Sequence, residues 1–82
     1  MGRERDFLIN SIRLALAGHA IRGEELASTL PYPATLDRLE KAALIALDCW
    51  SEDAELRSSY SRWDRFGRQR LHDLSVSLAM LS

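Results

Sequence analysis

Leu56, Tyr60, Trp63, Gly67, Leu71, Leu74, Leu78 and Leu81 step along the last third of the chain by fours and threes. At about 100° per residue they stay within an arc of about 80° on an α-helix. On a strand, alternate residues face opposite sides, so the same spacing would scatter them over both faces. Elsewhere apolar and polar residues nowhere alternate for long, and β-branched residues are few. The fold class that follows is all-α.

With 82 residues there is room for one domain and one core. A chain this short buries only about 60% of its unfolded surface, so its stability margin is thin. Disulfides, metals or association usually supply what is missing. Cys49 is the only cysteine, which rules out an internal bridge. Cys49, His19 and His72 are the whole supply of soft ligands and lie far apart in sequence, so no metal site is expected. Association is the route left open. A lone thiol also fits a reducing compartment, and the expected location is the cytoplasm.

The helices can be placed by their faces. Leu8, Ile9, Ile12, Ala15, Leu16 and His19 make one side of a first helix over about 4–21. Phe7, Leu14 and Ile21, seven apart, fall on another side of it. Glu24 and Glu25 open a short helical turn near 24–29, where the helix dipole favours acids. Pro31-Tyr32-Pro33 is expected to be extended, since each proline pushes its predecessor out of helical geometry. Thr35 is a plausible cap for a second main helix, about 35–50, with Leu36, Leu39, Ala43, Leu47 and Trp50 on one side and Ala42, Ile45 and Cys49 on the other. Ser51, followed by Glu52, Asp53 and Glu55, suits the start of a third over about 52–81. Gly67 sits mid-stripe, admitting a close backbone or marking a kink. Ser61 and Asp64 offer a weaker capping signal for a new start near 62. The expected architecture is a small bundle of three main helices plus the turn.

The net charge of −1 hides segregation. Residues 1–22 are net +2, residues 23–56 net −6 and residues 57–82 net +3. Complementary fields of this kind steer self-pairing or partner choice. No apolar run approaches the ~18 residues a membrane span needs. Arg3 and Arg5 before an apolar stretch imitate a secretory leader, but Asn10 and Arg13 interrupt it. Asp6 stands where a myristoylation signal wants Ser or Thr.

Little here can carry catalysis. Cys49 with His19 or His72 is the one nucleophile–base pairing conceivable, and their spacing does not bring them together. Cys49 reads as a partly buried small residue and His19 as a packing histidine. Glu24, Glu25, Glu52, Asp53 and Glu55 are explained by the helix starts they occupy. No glycine-rich loop follows a strand. The expectation is no enzyme, no cofactor and no small-molecule substrate.

Arginine supplies ten of the eleven basic residues, and its planar fork suits phosphate or carboxylate. Arg57, Arg65, Arg68 and His72 lie opposite the apolar stripe, with Arg62 close by. Arg57, Arg62, Arg65 and Arg68 are therefore the alternative contacts, toward an anion or a nucleic-acid backbone. A second nucleic-acid reading rests on local sequence. Glu25-Leu26-Ala27-Ser28-Thr29-Leu30 followed by Ala34-Thr35-Leu36-Asp37-Arg38-Leu39-Glu40-Lys41-Ala42 resembles the helix-turn-helix of winged-helix repressors. The resemblance implies Thr35, Arg38 and Lys41 as DNA contacts. It covers under a quarter of the chain. Pro31 and Pro33 stand in the turn where a glycine is usual, Asp37 and Glu40 bring negative charge toward the groove, and no β-ribbon wing follows.

Phe66, Val76 and Met80 fall outside the stripe, as Phe7, Leu14 and Ile21 do on the first helix. Two helices with a second apolar side need covering twice. The function this favours is a non-enzymatic protein–protein interaction module: a small adaptor, chaperone or regulatory subunit. Its partner is a second copy or another protein, met through Phe7, Leu14, Ile21, Phe66 and Met80.

Overall fold

In a computed structural model, which describes residues 3–30 and 33–80, the chain is all-α. Pro31 and Tyr32, expected to be extended, and Leu81, last member of the stripe, lie outside the described residues. The elements are α1 (Arg3–Leu16), α2 (Gly23–Thr29), a 3-10 turn (Pro33–Thr35), α3 (Arg38–Glu52), α4 (Ala54–Ser59) and α5 (Ser61–Met80). Among the described residues there are thus five α-helices, not three and a turn.

Gly18 ends the first helix before the expected Ile21. Its φ is 95°, its amide donates to the Ala15 carbonyl at 3.1 Å, and the His19 amide reaches back to Leu14 at 2.9 Å. This is the Schellman closure that a left-handed residue permits. His19, expected on the packed face, is turned out and exposed. No atom beyond its chain neighbours lies within 4 Å of a Cβ at Gly18, so Gly18→Ala meets backbone strain alone. It should lose about 1–2 kcal/mol, read as a lower urea midpoint at unchanged slope. An unshifted midpoint would show that the turn does not depend on glycine.

The second main helix begins at Arg38, not near Thr35, because Asp37 caps it. Asp37 accepts from the Glu40 amide at 2.7 Å, and Glu40 accepts from the Asp37 amide at 3.0 Å. This reciprocal box satisfies two amide donors at the helix start. The same carboxylates hold Arg5 of α1, at 2.6 Å from Asp37 and 3.2 Å from Glu40. Arg5 also donates to the Leu78 carbonyl at 3.1 Å, near the end of α5. One half-buried guanidinium therefore ties together one end of each of the three long helices.

The expected helix over 52–81 starts at Ala54 and is interrupted at Tyr60, next to the weaker Ser61–Asp64 start signal. Ser51 is no cap: it lies inside α3 and its hydroxyl donates to the Asp48 carbonyl. The chain turns at Asp53, then again at Tyr60, which is extended at φ −128° and ψ 107°. Gly67, the expected kink, lies inside an unbroken α5.

Helices α1, α3 and α5 pack on one another, α4 lies on α5, and α2 lies on α3. Leu8, Ile12 and Ala15 of α1, Ala43, Ala46, Leu47 and Trp50 of α3, and Leu71 and Leu78 of α5 form the core, closed by Leu26 and Leu30. Among the described residues no helix is long and apolar enough to cross a membrane.

Candidate functional site

Trp50 organises the site. Only 6% of it is exposed, and Gly67 of α5 lies against its ring: a Cβ there would stand 2.9 Å from Cζ3. The glycine admits a side chain where a backbone was expected. Arg57 of α4 covers the ring with its Cζ 3.5 Å from the centroid, and Arg68 adds a second guanidinium at 5.8 Å. Such stacking is favourable because the ring face is electron-rich. Arg57 also donates to the Trp50 carbonyl and pairs with Asp53.

These contacts divide the arginine row. Arg57 is engaged inside the fold. Arg68 pairs with Asp64 at 2.9 Å and donates at 3.1 Å to the Leu16 carbonyl, one of those left open at the end of α1. Arg62 and Arg65 are exposed and make no ion pair among the described residues. Arg65 and Arg68 line an open cleft of about 500 Å³ with His72 and Leu16, but Asp64 shares it.

The interruption at Tyr60 also splits the apolar stripe. Leu71 and Leu78 are buried, whereas Leu56, Tyr60 and Trp63 are exposed. Trp63 is 47% exposed, and Phe66 beside it is 64% exposed. Their ring centroids are 6.4 Å apart. Asp53, at the first break, accepts from the Trp63 indole Nε1 at 2.8 Å and so fixes that ring. Between α3 and α5 runs a groove of about 230 Å³, with Ala46, Trp50, Gly67 and Leu71 among its lining and Cys49, Trp63, Phe66 and Arg70 beside them. Cys49, expected partly buried, is exposed.

The five expected interface residues separate. Phe7 and Ile21 are half-buried and pack against the core. Leu14, Phe66 and Met80 are exposed. Because α1 stops at Leu16, the sevenfold spacing that linked Ile21 to Phe7 and Leu14 no longer describes one helix face. Tyr60 and Trp63 lie on the apolar stripe, whose spacing alone makes them core residues. The available hint was Ser58-Ser59-Tyr60-Ser61, a run of weak helix formers, next to the Ser61–Asp64 capping signal.

Residues 30–37, eight in all, connect α2 to α3, twice the three or four of a helix-turn-helix. Thr35 lies in the 3-10 turn, Arg38 opens α3, and Lys41 is exposed. Among the described residues no three His, Cys, Asp or Glu side chains gather as a metal site would require. No protein-family model, curated protein or solved structure matches this chain.

Proposed function

We propose that this chain is a non-enzymatic protein–protein interaction module, a small adaptor, chaperone or regulatory subunit, that binds through the aromatic face at the start of α5. The observation that carries the reading is the exposed Trp63–Phe66 pair beside the α3–α5 groove, with Arg62 and Arg65 at its edge. Tryptophan, aromatic and arginine side chains are those that dominate binding energy at protein interfaces. An indole already fixed by Asp53 loses little freedom on binding. Self-association through this face or through Leu14 and Met80 belongs to the same reading, as does a cytoplasmic setting.

Phe66→Asp tests it, because the ring is mostly outside the core. The variant should keep its helical circular dichroism yet lose, by at least about tenfold, any partner that the parent retains in stoichiometric, nuclease-resistant capture. Retention of that partner by the variant would remove Phe66 from the contact. The second reading, a nucleic-acid binder, is favoured by Arg62 and Arg65, which make no ion pair among the described residues. Its signature is different: loss of the captured material with nuclease, and affinity falling steeply with salt.

A further inference from the structure

Resting on the reading above, we infer that the groove between α3 and α5 accepts an acidic amphipathic helix of another protein, not a second copy of this chain. The groove offers what one face of a helix can enter: exposed side chains from α3 on one side and from α5 on the other, over a buried apolar floor. One side is Trp63 and Phe66 of α5. The other is Cys49 of α3, extended by Ile45, exposed and one helical turn earlier on the same side. The floor is Trp50, Gly67 and Leu71.

Charge selects the occupant. Arg70 lines the groove, and Arg62 and Arg65 flank the aromatic pair on its outer side. Arg38 and Lys41, seven and four residues before Ile45, extend that side of α3. All five are exposed and make no ion pair among the described residues. The acids nearby are fewer and partly engaged. Asp53, which also lines the groove, holds Arg57 and Trp63, Asp73 accepts from Gln69 at 2.9 Å, and Asp48 and Glu52 are the exposed carboxylates of α3 on the Ile45 side. Unmatched guanidinium groups around an apolar groove favour a helix whose apolar residues are bordered by Glu or Asp. The same charges oppose a two-fold dimer through this face. A two-fold contact sets the same patch on both subunits, so each cationic rim would meet its own copy.

The test uses the full chain and two labelled peptides of about 15 residues, long enough to form a helix when bound. One carries Leu at helical spacing with Glu between; the other has Lys in place of every Glu. The Glu peptide should bind at least about tenfold more tightly at physiological salt. Phe66→Ala and Arg70→Glu should each weaken it by about tenfold or more while circular dichroism is unchanged. Equal binding of the two peptides, preference for Lys, or no binding would overturn the inference. Sedimentation velocity separates the two levels of the reading. A dimer of the parent chain that Phe66→Ala dissolves would seat a second copy in the groove. That result would overturn the acidic-helix inference and leave protein binding as the function. A monomer that binds neither peptide, together with a Phe66→Asp variant that keeps every captured protein, would remove both.

Discussion

Trp50→Ala is expected to cost about 3–5 kcal/mol, the usual range for truncating a buried large aromatic. A chain of this size has roughly 4–12 kcal/mol of stability in total, so the loss is a large share of it. The loss has more than one source. The indole fills the space between α3 and the glycine of α5, and its removal leaves a cavity that Gly67 has no side chain to enter. Arg57 loses the ring it lies on while keeping its bonds to Asp53 and the Trp50 carbonyl. The check is thermal unfolding followed at 222 nm, where the midpoint should fall by roughly 15–30 °C. A fall under about 5 °C would show that α4 and α5 are held without the ring.

The second large effect is expected at Gly67. Its Cβ would meet Trp50 Cζ3 at 2.9 Å and Cε3 at 3.1 Å, and the ring has little room to retreat while Arg57 lies on it at 3.5 Å. For Gly67→Ala two effects of similar size oppose each other. A helix interior gains about 0.5–1 kcal/mol from alanine over glycine, whereas overpacking costs about 1–3 kcal/mol. Gly67→Val adds two further methyl groups and a branched, stiff χ1, so the clash dominates. The expected net loss is about 2–3 kcal/mol, from a urea midpoint at constant slope. The two positions touch and should be coupled. In a Trp50→Ala background the cost of Gly67→Val should fall below about 1 kcal/mol. An unchanged cost there would place the clash somewhere other than the ring.

Much of the fold was legible locally because helical periodicity and capping are short-range. Leu8, Ile12 and Ala15 face inward as their spacing requires, as do Ala43, Leu47 and Trp50. The α2 turn fell within a residue of its expected bounds. Two stops are local as well: Gly18, a left-handed terminator, and Asp37 with Glu40, a reciprocal cap two residues beyond Thr35. The candidate site was less legible. Phe66 stands out by lying off the stripe, whereas Trp63 lies on it and its spacing makes it a core residue.

By itself the sequence determined an all-α chain, the inward faces of α1 and α3, and an excess of apolar side chains over what one packed face absorbs. Only the tertiary structure decided where the last apolar stripe stops being core. Its spacing runs without interruption through Tyr60, since a wheel pattern records angle and not chain direction. The backbone turns at Asp53 and again at Tyr60 because folding α4 back places Arg57 over Trp50 and lets Gly67 close on the same ring. Contacts between residues distant in sequence reward those turns, and local propensity does not encode them. The same reversal places Trp63 and Phe66 on the surface, and with them the face proposed to bind.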